Sequence, residues 1–225
     1  MSNCNQCIVK QFNALKTLSK DELVRVSNCK TSRTIKKGET IFEEGEMING
    51  IYCIKDGVCK LSKLSPNGRA QIVKLVVKGD LLGQRSLIGK ESANLSAIAL
   101  NDMEVCFIPK REIVDDLSKN PEFCHSMLEQ MANDLRESDN IIVNMAQKSV
   151  KNRIADILIY MFENFGENEE GFLAIHFSRE DYANLVGTAT ESAIRIMSQF
   201  KKEGLISTSG KWIKIEDLEA LKRVE

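Results

Sequence analysis

The feature that most constrains the fold of this chain is a change in its hydrophobic period near Pro121. Before that point, Gly45, Gly57, Gly68 and Gly79 separate short segments rich in Ile, Val and Leu, at intervals of eleven or twelve residues. Short strands with turns at this spacing are typical of β sandwiches and barrels. After that point, apolar residues recur in steps of three and four, as in amphipathic helices. The pattern therefore predicts an α+β chain that begins with a β roll, or jelly roll.

The helical part begins with a heptad pattern that continues for more than three repeats. Its apolar positions form one narrow stripe, and the flanking positions are charged. Pairing with a second copy of the helix explains such a stripe better than the alternative, a surface helix that lies on its own domain. We therefore expect a homodimer. The predicted interface residues are Leu128, Met131, Leu135, Ile142 and Met145, and Cys124, Ser138 and Ser149 continue the stripe.

Composition places the chain among ordinary globular proteins. It has 225 residues, 43% of them hydrophobic and 28% charged, and a length that fits two compact units better than one. No run approaches eighteen apolar residues, which argues against a membrane span. The N-terminal sequence lacks the basic and apolar regions of a secretion signal, so we expect a cytoplasmic protein. The net charge of -1 leaves nucleic-acid binding open, because whole-chain charge says little about local surfaces.

The C-terminal residues show the pattern helix, turn, helix. Ser178 can cap the first helix, and Gly187 tolerates the tight turn that follows it. The second helix, predicted over 189–203, has an apolar stripe and an opposite polar stripe. A solvated polar face is the alternative, but this arrangement is the one that places a helix in the major groove of DNA. The predicted DNA-contacting residues are Ser178, Thr188, Thr190, Glu191, Ser192, Arg195, Lys202 and Lys211.

Two short strands around a Ser-Gly turn follow over 205–215, and they predict a wing beside the helices. Local charge supports contact with DNA there, because between 192 and 214 Glu203 is the single acid among several basic residues. Those basic residues are Arg195, Lys201, Lys202, Lys211 and Lys214.

Four stretches, at residues 37–42, 79–83, 104–109 and 186–195, resemble motifs that the CRP/FNR family of bacterial transcription regulators carries in the same order. The resemblance covers nearly the full length of the chain. The resemblance implies a β-roll sensor like the cyclic-nucleotide-binding domains, then a long dimerisation helix and a winged helix-turn-helix. It also implies that Glu191 and Arg195 read bases, because Arg195 can bond guanine and Glu191 can accept from cytosine. The stretches are residues 37–42 (KGETIF), 79–83 (GDLLG), 104–109 (EVCFIP) and 186–195 (VGTATESAIR).

These observations predict a homodimeric, sequence-specific transcription regulator that is switched by a signal at its sensor domain. The expected partners are double-stranded DNA with a palindromic site, a second copy of the chain and RNA polymerase, but no membrane. The sequence shows no catalytic motif, so we do not expect an enzyme. The alternative is a ligand- or metal-binding module that acts through protein partners. We expect an N-terminal segment over 1–20, the sensor over 21–118, the dimerisation helix over 119–147 and the DNA-binding domain over 148–225.

The signal is not obviously cyclic AMP. Cyclic AMP binders of the family carry a glutamate after the Gly-Asp-x-x-Gly turn and an Arg-Ser pair further along, whereas this chain has Gln84 there and Arg85-Ser86 immediately after it. An anionic ligand needs a cation or converging N–H donors, so cyclic AMP is disfavoured. Another small molecule, a heme or a sensor without a ligand are the alternatives. The candidate effector-pocket residues are Gly83, Gln84, Arg85, Ser86 and Asn94.

Cysteines offer a second kind of signal. Seven cysteines in a chain expected in the cytoplasm favour thiols or metal ligands over disulfides. Cys4, Cys7 and Cys106 resemble three of the four iron–sulfur ligands of FNR-type oxygen sensors. The fourth position of that pattern holds Asn13, for which Cys29 is the candidate substitute. Another cysteine-bound metal such as zinc, or a thiol switch without metal, are the alternatives.

Two further cysteines are not expected to bind a metal together. Cys53 and Cys59 stand on either side of Asp56-Gly57, which predicts a two-residue hairpin between their strands. Their side chains should then point to opposite faces.

Overall fold

The computed structural model describes residues 4, 7–66 and 68–224. Residues 1–3, 5 and 6, which belong to the predicted N-terminal segment, lie outside the described residues, as do 67 and 225. Contacts within the chain divide it into two compact units. The first consists of residues 1–63 and 73–138, and the second of residues 64–72 and 139–225.

The first unit contains two four-stranded sheets, which confirms the predicted β roll. One sheet has the strand order β1-β8-β3-β6 and the other has the order β2-β7-β4-β5. Strand β5 continues past the division between the units. The strands are β1 (Thr31–Ile35), β2 (Thr40–Phe42), β3 (Gly50–Asp56), β4 (Cys59–Leu64), β5 (Ala70–Val76), β6 (Leu81–Leu82), β7 (Ser96–Ala99) and β8 (Met103–Pro109).

Helical segments cover one face of the first sheet. Two 3-10 turns, Ile8–Phe12 and Ala14–Thr17, precede helix α1, which begins with a capping box between Ser19 and Glu22. The helices of this unit are α1 (Lys20–Cys29), α2 (Gln84–Gly89), α3 (Lys110–Lys119) and α4 (Pro121–Gln147), of which α4 continues into the second unit.

Strand alternation divides the buried residues of the β roll into two cores. Along β3, Ile51 and Cys53 face the helical segments, whereas Tyr52 and Ile54 face the second sheet. We call the first set the outer core, and it includes Val9, Leu15, Val26, Ile108, Ile113 and Phe123. We call the second set the inner core, and it includes Phe42, Cys59, Val76, Ala97 and Val105.

The predicted hairpin between β3 and β4 is wrong. Strand β3 pairs with β8 and β6, whereas β4 lies in the other sheet, where it pairs with β7. The turn at Gly57 therefore carries the chain from one sheet to the other. Its φ of +91° suits glycine, and a Cβ there would lie 2.6 Å from the Cγ of Met103.

The second unit holds the C-terminal helices and a small two-stranded sheet. The end of α4 is followed by α5 (Val150–Phe165), then by α6 (Arg179–Val186) and α7 (Thr190–Lys202). Strands β9 (Ile206–Ser209) and β10 (Trp212–Ile215) pair antiparallel, and α8 (Leu218–Lys222) ends the described chain. This order of elements confirms the predicted helix-turn-helix with a wing.

Arg153, on α5, joins three segments of this unit. Its Nε donates to the backbone oxygen of Val186 at 2.8 Å, at the C-terminal end of α6. Its Nη1 donates to the oxygens of Met145 and Lys148 at 3.2 and 2.6 Å. A charged donor satisfies carbonyls that helix ends leave without an intrahelical partner. Arg153 thereby fixes α6 relative to α5 and the end of α4.

Candidate DNA interface and cysteine core

The turn between α6 and α7 is built by local signals. Ser178 caps α6: its Oγ accepts from the backbone N–H of Asp181 at 3.0 Å, and the Asp181 carboxylate accepts from the Ser178 N–H at 3.1 Å. Gly187 ends α6 in the left-handed region, with φ +67° and ψ +50°. The predicted DNA contact Ser178 is exposed, but its hydroxyl already serves the cap.

Helix α7 presents one apolar and one exposed face, as the sequence predicts. Its apolar face is buried, and it comprises Ala193, Ile196, Met197 and Phe200. The opposite face includes Glu191, Arg195 and Lys202, which are all exposed. Thr188, Thr190 and Ser192, at the start of the helix, are half-buried. The exposed face can therefore enter a groove without disturbing the packing of the unit.

Ile194 is an exposed residue of this face that the sequence analysis did not select. It lies beside Glu191, three residues further along the helix, and 44% of it is exposed. Its backbone oxygen accepts from the Ser198 hydroxyl at 2.9 Å. Its signal in the sequence was an isoleucine within a polar stripe.

The wing carries basic side chains beside α7. Lys211, at its tip, is exposed, and its Nζ lies 5.6 Å from the centre of the Trp212 ring. The Nζ of Lys201 donates to the Thr208 hydroxyl at 3.2 Å. Arg179, which the sequence analysis did not select, donates to the backbone oxygen of Gly210 at 3.4 Å. Helix α7 and the wing thus present positive charge together.

Helix α4 exposes an apolar stripe. Leu128, Leu135 and Ile142, seven residues apart, are 58%, 64% and 65% exposed. Met131 and Met145 are half-buried, as is Cys124. The opposite side of the first turns is occupied, because Phe123 and Met127 are buried in the outer core. The stripe is therefore not the surface by which the helix lies on its own unit.

The candidate effector-pocket residues lie around the start of α2. Gly83 is left-handed, with φ +87°, and Gln84 and Ser86 are buried. The Oε1 of Gln84 has no hydrogen-bond partner among the described residues. Arg85 is exposed, and its Nε lies 3.5 Å from the Glu91 carboxylate. The half-buried Asn94 accepts at its backbone oxygen from Lys63. The arginine is thus directed to a surface acid.

Four cysteines meet in the outer core. Cys53 and Cys106 are direct partners in the β3–β8 ladder, so their side chains lie on the same face of the sheet. The N-terminal segment covers that face with Cys4, which is buried, and Cys7, which packs against the same cluster. We call Cys4, Cys7, Cys53 and Cys106 the cysteine core. Cys53 is not among the predicted metal ligands, because the sequence predicted a β3–β4 hairpin and did not reveal that β3 pairs with β8.

The four thiols are close enough to influence one another. Burial raises the pKa of the Cys53 thiol to about 12, and the thiols of Cys106, Cys7 and Cys4 act in the same direction. A cation stands beside them: Lys55 donates to Glu104 at 2.8 Å, and this bond, together with Cys106 and Cys7, raises the pKa of the Lys55 ammonium group.

The other candidate ligands lie elsewhere or are already used. Cys29 is exposed at the end of α1 and does not belong to the cysteine core. Asn13 is buried, its Nδ2 donates to the oxygen of Gly79 at 2.8 Å, and its Oδ1 accepts from the N–H of Leu15 at 3.0 Å. Among the described residues, no three His, Cys, Asp or Glu side chains form a ready-made metal-binding group. The donor chemistry suits a soft metal, but the thiols do not yet form a closed ligand set.

Comparison with known proteins agrees with both units. Residues 32–120 match the family model of the cyclic nucleotide-binding domain, and residues 152–224 match that of the Crp-like helix-turn-helix domain. In the part of the chain that the structure describes, no helix is both long and apolar enough to cross a membrane.

Whole-length relatives define the class of protein as a transcription regulator with a sensor domain. The chain is 30% identical to the fumarate and nitrate reduction regulatory protein of Escherichia coli K12, covering 97% of this chain and 88% of that protein. It is 28% identical to the regulatory protein HlyX of Actinobacillus pleuropneumoniae, over 97% of this chain and 92% of that protein. The chain belongs to the CRP/FNR family of DNA-binding transcription regulators, whose members are not enzymes.

Solved structures share the fold. FixK2 from Bradyrhizobium japonicum superposes with a TM-score of 0.76 at 24% identity, covering 87% of this chain and 97% of that one. A regulator of the same family from Eubacterium rectale superposes with a TM-score of 0.79 at 21% identity, covering 92% and 95%. At this identity the likeness supports the fold alone.

Proposed function

We propose that this regulator binds a palindromic DNA site as a homodimer that pairs through α4. The observation that carries the proposal is the exposure of Leu128, Leu135 and Ile142 at heptad spacing. Two copies that bury this stripe against each other remove a large apolar surface from water. A twofold dimer then presents two α7 helices to half-sites about one helical turn, ~34 Å, apart.

Glu191 and Arg195 are the proposed base-reading residues. Both side chains are exposed on the N-terminal half of α7, where a recognition helix meets base edges. The guanidinium of Arg195 can donate to O6 and N7 of guanine, and the Glu191 carboxylate can accept from N4 of cytosine. Lys202 and the wing residue Lys211 would meet phosphates. Thr188, Thr190 and Ser192 are proposed to meet the backbone or base edges at the helix start.

Ile194 is proposed to add an apolar contact to this readout. The exposed side chain of Ile194, beside the proposed base-reading residue Glu191, has no hydrogen bond to offer, but it can pack against the C5-methyl group of thymine. The preferred site should therefore contain thymine beside the positions that Glu191 and Arg195 read.

The signal is proposed to act at the cysteine core rather than at a site for cyclic AMP. Arg85, the cation next to the Gly83 turn, is paired with Glu91 at the surface, whereas four thiols meet under the N-terminal segment. Thiols respond to oxidants and to soft metals, and an iron–sulfur cluster held there would supply a redox-sensitive centre. We propose that the protein acts in the cytoplasm, where it would meet double-stranded DNA and RNA polymerase.

Selection of DNA sites from a random library by the purified full-length protein tests the proposal. We expect an inverted repeat with two matching half-sites, bound by two chains per duplex. Selected DNA that contains single, unrepeated sites bound by one chain would contradict the homodimer. Retention of random DNA with no enriched sequence would contradict sequence-specific reading by α7.

A further inference from the structure

We propose that Lys74 is a positioning residue for dimer formation, which holds helix α4 on the β roll and couples it to the N-terminal segment. Lys74, on β5, forms ion pairs with two carboxylates of α4 and stands beside a third carboxylate, on the turn that the N-terminal segment covers. This inference rests on the proposed pairing of two chains through α4 and on the proposed signal at the cysteine core.

The contact between β5 and α4 consists of one ammonium group and two acids. The Nζ of Lys74 lies 2.5 Å from the Oδ1 of Asp134 and 3.2 Å from the Oε2 of Glu137. In the part of the chain that the structure describes, no other cation forms an ion pair with either carboxylate. Burial acts to lower the pKa of the Lys74 ammonium group, but the two carboxylates together outweigh burial and raise it. Lys74 is therefore a charged attachment point for α4.

The acids that Lys74 holds lie at the edge of the apolar stripe of α4. Leu135 fills an a position of the heptad, so Asp134 stands at g and Asp139 at e. In a parallel pair of helices, the g side chains of one helix meet the e side chains of the other. Asp134 would then meet Asp139 of the partner subunit, and like charges repel. By pairing with Asp134, Lys74 would offset this repulsion.

A third carboxylate, that of Asp80, lies beside Lys74 on the turn after β5. Its Oδ2 accepts from the N–H of Val77 at 2.9 Å, so the turn itself holds the side chain. Burial raises the pKa of the Asp80 carboxyl group, and the Val77 N–H and the Lys74 ammonium group act against this increase. The two acids of α4 add to it. One cation is thus shared by three acids, so a displacement of Asp80 would change how strongly Lys74 holds α4.

The N-terminal segment packs on the same turn. The Nδ2 of Asn13 donates to the oxygen of Gly79 at 2.8 Å and lies 3.5 Å from the Sγ of Cys53. Gly79 has a φ of +101°, and a Cβ there would lie 2.6 Å from the Cβ of Phe12, so the segment and the turn are in close contact. A change at the cysteine core that moves Asn13 would therefore move the turn that carries Asp80. Contiguous contacts thus lead from the thiols to α4.

The first test measures the dissociation constant of the dimer by sedimentation of the full-length protein. Lys74→Gln removes the charge, and its matched control is Lys78→Gln, which removes an equal charge from an exposed residue just beyond β5. We expect the dissociation constant to rise about tenfold in Lys74→Gln, to stay within about twofold in Lys78→Gln, and to recover in Lys74→Arg. A wild-type dimer that Lys74→Gln leaves unchanged would overturn this inference and leave the proposed homodimer intact.

Two further readouts separate charge from packing. Because salt screens repulsion between like charges, the loss in Lys74→Gln should shrink at about 1 M salt, where the Debye length is about 3 Å. In a protein that already carries Asp134→Asn and Glu137→Gln, Lys74→Gln should cause no further loss, because the acids it serves are gone. A loss that persists at high salt, or that adds in full to the loss of the two acids, would show that Lys74 acts by packing and would contradict the proposed role.

The second test measures the coupling to the N-terminal segment within one chain, by hydrogen exchange and mass spectrometry. Coupling is reciprocal, so if the segment acts on Lys74, a change at Lys74 must act on the segment. We expect the amides of residues 8–18 to exchange faster in Lys74→Gln than in the wild type, and to be unchanged in Lys78→Gln. Equal exchange in all three proteins would overturn the coupling. Because this measurement needs neither a dimer nor DNA, its result is independent of whether the proposed function holds.

Discussion

The proposed DNA-reading face of α7 and the cysteine core differ in how far apart their residues lie along the chain. The helix-turn-helix occupies one continuous stretch, in which Ser178 caps α6, Gly187 makes the turn and Arg195 stands on α7. The cysteine core joins Cys4 and Cys7 to Cys53 and Cys106, which meet through strand pairing. A site within one continuous stretch can be predicted from the signals of neighbouring residues. A site built across a sheet can be predicted only when the register of the strands is known.

The largest expected effect concerns dimer formation. The proposed DNA binding needs two chains, whereas the cysteine core lies within one chain. Leu135→Glu places a charge on the exposed apolar stripe of α4, so it should prevent pairing without disturbing the fold of one chain. Because two linked half-site contacts bind far more tightly than one, we expect affinity for a palindromic site to fall about 100-fold or more. Sedimentation measures the loss of the dimer, and titration with DNA measures the loss of affinity for the palindromic site.

The control for this variant is Asn140→Glu, an exposed change on α4 outside the apolar stripe. It should remain dimeric and bind DNA normally. Metal content per protomer should be the same in both variants, because the cysteine core lies within one chain. A Leu135→Glu protein that remains dimeric would show that α4 does not form the interface.

Arg195→Ala should affect base reading alone. We expect it to cost about 1–3 kcal/mol in binding to a matched site and to relax the preference at one base pair. Lys202→Ala, which removes a proposed phosphate contact, should weaken matched and random DNA about equally. Binding competitions over single-base variants of the site measure the difference. If Arg195→Ala lowered both affinities in parallel, its role would be that of a phosphate contact.

Gly187→Ala tests whether the turn of the helix-turn-helix is set locally. An alanine at φ +67° is strained, and its Cβ would lie 3.1 Å from the Sδ of Met145. We expect the free energy of unfolding of the protein to fall by about 1–2 kcal/mol. Gly210→Ala, at φ +59° with open space around it, should cost less because it adds strain alone. Denaturant titration measures the free energy of unfolding of both variants. If both variants lost the same amount, the contact of the added Cβ with Met145 would contribute nothing.

The smallest expected effect concerns Ile194. Replacement of the contacted thymine by deoxyuracil removes one methyl group, and we expect a loss of about 0.8 kcal/mol for the wild-type protein. Ile194→Ala should bind the thymine site more weakly and should no longer distinguish thymine from deoxyuracil. Titration of the wild type and Ile194→Ala with the thymine and the deoxyuracil sites gives the coupling energy between the Ile194 side chain and the methyl group directly. If the methyl group mattered equally to both proteins, Ile194 would not be its contact.

The sequence predicted most of the fold, including the helix-turn-helix that carries the proposed DNA interface. The cap at Ser178, the left-handed Gly187 and the apolar stripe of α7 are effects of neighbouring residues, and the structure shows each of them. Ile194 is not among the predicted DNA contacts, because those residues were selected for hydrogen bonds or charge. It also predicted a hairpin at Gly57, since a turn motif does not reveal whether the chain pairs with the next strand or crosses to another sheet.

The sequence by itself thus determined the β roll, the long helix and the helix-turn-helix, because caps, turns and hydrophobic period act over a few residues. Only the tertiary structure decided which cysteines meet. Cys29 is close to Cys4 and Cys7 along the chain and yet is exposed, whereas Cys53 is distant and lies among them. The physical reason is that the pairing of β3 with β8, and the packing of the N-terminal segment on them, depend on long-range burial of the outer core.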